Sequence, residues 1–284
     1  MGVILGYAEP VGKKYIQATL RDATISRLGG PMASLASSPI LAEDDERLLC
    51  AVCKKRMRLF LQLFAPESDE RPHAWMRVLY LLTCVNGKCA KQGWSPSIKV
   101  LRSQSTTTDL HPVSSQEDEQ FALNEIVSES EPADVASTKE KEDKKHAAVL
   151  VENDGSEKYT KVKGDGAFYK FSKRLQKAPE QVLRYYRTEQ LLASSHEAAL
   201  WIADAQQLAD KDIPACACGA ARSLEFQMMP TAISFLGQDE TKQDSIDYGV
   251  LNVYTCNEAC RLGNEGYAEE VCWRQEYDMR TSIF

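Results

Sequence analysis

Apolar residues along this chain come in short blocks bounded by turn signals rather than in long amphipathic periods. Val3-Ile4-Leu5-Gly6-Tyr7, ended by Glu9-Pro10, reads as a buried strand. Residues 57–66 form an apolar decad that suits a strand or a short buried helix by periodicity alone. Its β-favouring neighbours and the terminal Pro66 point to a strand. Residues 78–83 and 98–102 read as further strands, with Trp94 expected in the core beside them. In the second half, residues 250–254 repeat the strand pattern, and Gly29-Gly30-Pro31 marks a tight turn.

Helical patterning appears only beyond residue 160. Phe168, Phe171 and Leu175 share one helical face. Pro179-Glu180 then reads as a second helix start, with Val182, Leu183, Tyr186 and Leu191 as its apolar stripe and Arg184 and Arg187 on a solvated face. Leu200, Trp201 and Leu208 suggest a short helix or a covering loop.

Between these regions the composition changes. Residues 103–160 hold fourteen acidic residues against five lysines, a balance of −9 within a net charge of −7, so the remainder is about +2. A stretch so polar buries too little apolar surface to offset its ordering entropy, and it is expected to be a disordered acidic linker. Its one apolar island, residues 121–127, reads as a chance cluster, and His111 and His146 are poor candidates for catalysis. The expected fold class is β-rich α+β. It comprises an N-terminal zinc-bearing β unit over 1–102, the linker over 103–160, and a related C-terminal unit with a helical insert over 161–284.

The cysteines decide the chemistry. Eight of the nine fall into close pairs: Cys50 with Cys53, Cys84 with Cys89, Cys216 with Cys218, and Cys256 with Cys260. Near neighbours make poor disulfides but good metal knuckles, and two pairs separated by a few tens of residues are the usual spacing of a four-cysteine zinc site. Two zinc ions are therefore expected, one per unit. Cys272 is left over and reads as a buried, inert thiol.

The two sets also follow the same order. Gln62 lies nine residues after Cys53 and Gln227 nine after Cys218, with Pro66 and Pro230 shortly beyond. Leu79-Tyr80-Leu81-Leu82-Thr83-Cys84 matches Leu251-Asn252-Val253-Tyr254-Thr255-Cys256, and each half ends on a tryptophan, Trp94 and Trp273. The chain reads as two copies of one unit, split by the acidic insertion.

Several function classes are disfavoured. There is no phosphate loop, Gly-x-Ser-x-Gly elbow or His-Glu-x-x-His helix, and four cysteines per metal leave no open position for a catalytic water. An enzyme is not expected. A folded part near +2 lacks the basic stripe of a nucleic-acid binder, so DNA is excluded and direct RNA binding is not expected. No apolar run of eighteen residues indicates a membrane span and no basic-apolar leader opens the chain, which points to a soluble intracellular protein.

Taken together, these motifs resemble the programmed cell death protein 2 family, its "like" branch and the yeast ribosome-biogenesis homologue more than the longer form. The resemblance is carried by Leu5-Gly6, Gly29-Gly30, Leu49-Cys50-Ala51-Val52-Cys53, Gln62 and Ala65-Pro66. It continues through Tyr169-Lys170-Phe171-Ser172, residues 179–185, Ile213-Pro214, residues 225–230, Val253-Tyr254-Thr255-Cys256 and Glu269-Glu270-Val271-Cys272-Trp273. Two departures are Cys216-Ala217-Cys218, with one intervening residue where two are common, and Met32-Ala33-Ser34-Leu35, which lacks a tryptophan often found there. No cysteine-histidine cluster corresponds to the extra MYND-type finger of the longer branch.

The resemblance implies a dedicated chaperone that escorts one newly made small-subunit ribosomal protein, of the universal S-five family, towards 40S assembly. It implies a cytoplasmic factor for which shuttling to the nucleus stays open. A general zinc-ribbon interaction scaffold, with or without RNA, is the alternative. Basic ribosomal segments would be attracted by the acidic linker and held by strand addition or in a groove between the units.

Overall fold

The computed structural model describes residues 2–68, 70–111, 120–132, 166–187 and 195–276. In chain order the elements are β1 (Ile4–Pro10), α1 (Ile16–Leu20), β2 (Arg27–Leu28), β3 (Arg58–Phe64), β4 (Met76–Thr83), β5 (Gly93–Trp94), β6 (Ile98–Ser105) and β7 (Asn124–Ser130). They continue with α2 (Gly166–Leu175), β8 (Gln181–Tyr185), α3 (Ser195–Ala198), β9 (Arg222–Met228), β10 (Val250–Cys256) and β11 (Ala268–Gln275). The strands run β10-β9-β8-β1-β7-β2-β3-β4-β6-β11, and β11 pairs back onto β10. This closes a ten-stranded antiparallel barrel, with β5 on the free part of the β11 edge.

The two halves are therefore not separate units with a groove between them; they share one barrel wall. β1 pairs with β7 and β6 with β11, and these two seams relate the halves by a pseudo-twofold. Arg27 stands opposite Gln62 as Arg184 stands opposite Gln227, and Leu81 opposite Val100 as Val253 opposite Cys272. Even the irregularities agree: β3 bulges at Phe60 and β9 at the equivalent Glu225. The two equivalent glutamines do the same work outside the barrel. Gln62 accepts from Ala33 N–H at 3.2 Å, and Gln227 clamps both the N–H and the C=O of Leu200, so each holds a covering loop.

This symmetry assigns β7 to the second repeat as its first strand. The reading of residues 103–160 as linker needs correction on that account. β6 runs to Ser105, Leu110 bridges to Leu35, and residues 121–127 deliver a barrel strand rather than a chance cluster. Ile126 closes over Gly6, where any Cβ would meet it, and this packing recovers the ordering entropy of β7. Residues 112–119 and 133–165, with most of the acidic charge and His146, lie outside the described residues.

A second correction concerns 181–191. The stripe expected on a helix is strand β8, paired with β1 and β9. Leu183 and Tyr185 point into the barrel, while Arg184 lies buried on the outer side and donates to Glu131, Gln181 and Tyr186. Two open sheet edges needing hydrogen bonds outweigh the local helix-start signal at Pro179. Leu191 lies outside the described residues. The expected helix through Phe168, Phe171 and Leu175 forms as α2, and residues 200–208 form a covering loop. Among the described residues no helix is long and apolar enough to cross a membrane.

Candidate metal centres

Each cysteine group is assembled by a tight turn before a strand and a second turn after the next one. In the first half, Cys50 N–H donates to Lys55 O and Lys54 N–H to Cys50 O, with Lys54 at φ +60°. In the second, Cys216 N–H donates to Ala220 O and Gly219 N–H to Cys216 O, with Gly219 at φ +88°. The two knuckles thus share one hydrogen-bond pattern although Cys216-Ala217-Cys218 closes it with a residue fewer. Glycine makes the left-handed turn without strain in the shorter one.

β4 and β10 then deliver Cys84 and Cys256, and the following turns deliver Cys89 and Cys260. All eight predicted cysteines are brought into two groups, Cys50/Cys53/Cys84/Cys89 and Cys216/Cys218/Cys256/Cys260, with the sulfurs of each within 4.8 Å of one another. Closest approaches are 3.6 Å for Cys53–Cys84, 3.7 Å for Cys218–Cys256 and 3.8 Å for Cys216–Cys260. None forms a disulfide. Four sulfurs at these separations suit a soft, tetrahedral divalent cation, and the donor set is closed.

The electrostatics of the two knuckles match. The Lys55 N–H pulls Cys53 down to about 7, and the Ala220 N–H pulls Cys218 down to about 7. Burial pushes Cys216 up to about 12 and raises Cys84, Cys89 and Cys260. One thiol per group is therefore ready to ligate at neutral pH, and a bound cation would displace protons from the buried ones. Cys272 belongs to neither group; it sits in the barrel core, where burial pushes its thiol up.

Three sets of side chains around the centres escaped the sequence reading. Inside the barrel, Arg77 grips Glu225 through two 2.6 Å bonds, both side chains fully buried. Thr255 and Tyr185 donate to the same carboxylate. Arg187, expected on a solvated face, pairs with Glu67 at 2.6 Å and donates to Cys256 O at 2.9 Å. Arg102 and Arg222 converge on Glu270, 2.7 Å each. Glu225 had stood out only as part of a motif, and nothing local marks these arginines as buried. Trp94, expected in the core, lies 39 % exposed on the outer wall, edge-on to Trp273 at 4.9 Å and to Tyr254 at 6.5 Å. The two-residue β5 leaves it no sheet to be buried under.

Comparison with known proteins follows this architecture. Residues 2–118 match the model for "Programmed cell death protein 2, N-terminal domain", and residues 165–276 match that for "Programmed cell death protein 2, C-terminal putative domain". Strand β7 falls between the two matched spans. Programmed cell death protein 2 of Bos taurus is 43% identical over 114 residues, covering 40% of this chain and 30% of that protein. Programmed cell death protein 2-like of Homo sapiens is 37% identical over 130 residues, covering 44% and 33%. The aligned part thus spans about a third of these relatives' own length. No solved structure matches.

Proposed function

The chain belongs to the programmed cell death protein 2 family, and from that premise we propose that it is a dedicated chaperone of a newly made small-subunit ribosomal protein. The client is of the universal S-five family, and the chaperone escorts it through the cytoplasm during 40S production. The observation that carries this reading is the family match across both repeats; the net charge of −7 suits a carrier of basic, rRNA-binding segments. We further read both cysteine groups as zinc sites that stiffen the two barrel ends.

The barrel interior is filled by side chains, which directs client binding to its outside. Residues 127–130 of β7 are exposed and, among the described residues, pair only with β1, and the end of β1 that corresponds to them finishes on Pro10, which has no N–H to offer. A basic extended segment would add there as a strand beside Glu125 and Glu129, with the net negative charge of residues 103–160 steering encounter.

The test is quantitative mass spectrometry of what co-purifies with a tagged chain after RNase treatment and a moderate salt wash. One small-subunit ribosomal protein at near stoichiometry, without the rest of the subunit, is the expected result. Whole subunits or RNase-sensitive material would shift the reading to late assembly or RNA binding. Absence of any ribosomal protein would end it.

A further inference from the structure

The cysteine spacing makes the two centres look interchangeable, but their surroundings differ. At the second centre Arg102, buried on the inner face of β6, donates from Nη2 to Cys260 Sγ at 3.2 Å and from Nη1 to Cys260 O at 3.0 Å. Its Nε donates to Glu270 Oε1 at 2.7 Å. The other oxygen of Glu270 accepts from Cys256 N–H at 3.2 Å and from Arg222 Nε at 2.7 Å. Two ligands of one centre are thereby tied to a single buried guanidinium–carboxylate pair.

The pseudo-twofold supplies an internal control. Matching Val100 with Cys272 places Arg274 at the position of Arg102 and Ile98 at that of Glu270. Arg274 is also buried, yet it turns its donors to Asp247 O and to Glu276, away from Cys89. Ile98 can accept nothing. Among the described residues, the same framework therefore carries a guanidinium–carboxylate pair bonded to the ligands of one centre and no counterpart of it at the equivalent positions of the other.

We infer that Arg102 is a positioning residue for the second metal centre, holding Cys260 in ligand orientation and compensating the charge of the bound site. The inference rests on reading the cysteine groups as metal centres. Four thiolates around a divalent cation carry a net double negative charge, and a buried site of that charge needs fixed donors close by. Outer-sphere hydrogen bonds of this kind typically change metal affinity about 10- to 100-fold when removed. The loop that carries Cys256 and Cys260 depends on the first repeat in other ways too. Asn257 O accepts from Arg71 at 2.8 Å and Ala259 O from Gln104 at 3.2 Å.

Full-length protein loaded with ¹¹³Cd provides the test, because each centre gives its own resonance and Cys218→Ser identifies the second. Arg102→Met is expected to move only the second resonance and to weaken that centre about 10- to 100-fold in chelator competition. Arg102→Lys, which keeps the charge but loses the fork, should recover part of the affinity. Arg274→Met should leave both resonances in place. Because Arg102→Met strands Glu270 without its partner, the double variant with Glu270→Gln is run alongside and should show the same selective loss. Unchanged affinity and resonance in these variants, or equal loss at both centres, would overturn the role of Arg102. Failure to bind cadmium at all would instead overturn the metal-centre reading on which it rests.

Discussion

At its bulge β3 places Phe60 in the barrel, edge-on to Phe121 and Tyr248. At the equivalent bulge β9 places Glu225, gripped by Arg77. Around Phe60 the filling includes Ile98, Ile246, Tyr248 and Leu251, with the guanidinium of Arg274 alongside; around Glu225 it is Arg77, Arg187, Glu67, Arg102, Glu270 and Thr255. The same strands, bulges and knuckles thus support a largely apolar end and an ionic end. Backbone geometry and interior chemistry are separable, because a bulge needs only an extra residue and the opposite wall decides what that residue can be.

The ends should differ most when a centre is lost. A structural zinc site contributes apparent folding free energy on the order of 10 kcal/mol, so Cys84→Ser and Cys256→Ser should both destabilise severely. Their reach should differ. Cys256→Ser releases the loop that receives Arg71, Arg102, Gln104 and Arg187, so amide exchange protection should fall along β6 and β11. After Cys84→Ser the loss should concentrate on β3 and β4. Hydrogen exchange on both variants checks this, and indistinguishable profiles would erase the distinction between the ends.

Breaking the ionic end directly should cost less. Arg77→Met leaves Glu225 buried without its partner and is expected to cost about 3–5 kcal/mol in urea unfolding. Importing the residue of the apolar end, in Arg77→Met with Glu225→Phe, should restore most of that stability, since a buried ion pair is often no better than well-packed apolar residues. Persistence of the full loss in the double variant would mean that the ionic end is required by its surroundings.

Acid sharpens the same contrast. Burial alone would raise the Glu225 carboxyl, but Arg77, Arg187 and Thr255 hold it down to about 2, against an ordinary 4.5. A depressed folded value means the contribution is complete above the unfolded pKa and is lost as pH falls from about 5 towards 2. The wild-type unfolding free energy from urea titrations should drop across that window by an amount on the order of 3 kcal/mol. Glu225→Gln should flatten the drop. The smallest effect is expected outside the barrel, where Trp94→Ala removes edge-to-face contacts with Trp273 and Tyr254 and should cost about 1 kcal/mol.

Much of the local structure was legible in the chain. Strands β1, β3, β4, β6 and β10, helix α2, the four knuckles and the repeat all follow from short-range signals. Apolar blocks, cysteine spacing and a glutamine nine residues past a knuckle are such signals. The strands β7 and β8 were not legible. β7 is mostly polar because four of its residues lie at an exposed edge, and β8 follows a proline that reads equally well as a helix start. Both are strands because neighbours far along the chain offer them unpaired backbone.

By itself, then, the amino-acid order determined the four cysteine knuckles and the strands that deliver them, since each rests on contacts within a few residues. Tertiary structure alone decided that the repeats close into one barrel and that the arginines lie inside it. Arg77 meets Glu225 across 148 positions and Arg102 meets Glu270 across 168. A charge is stable in the interior only when its partner arrives there too, and no local pattern records a partner that distant.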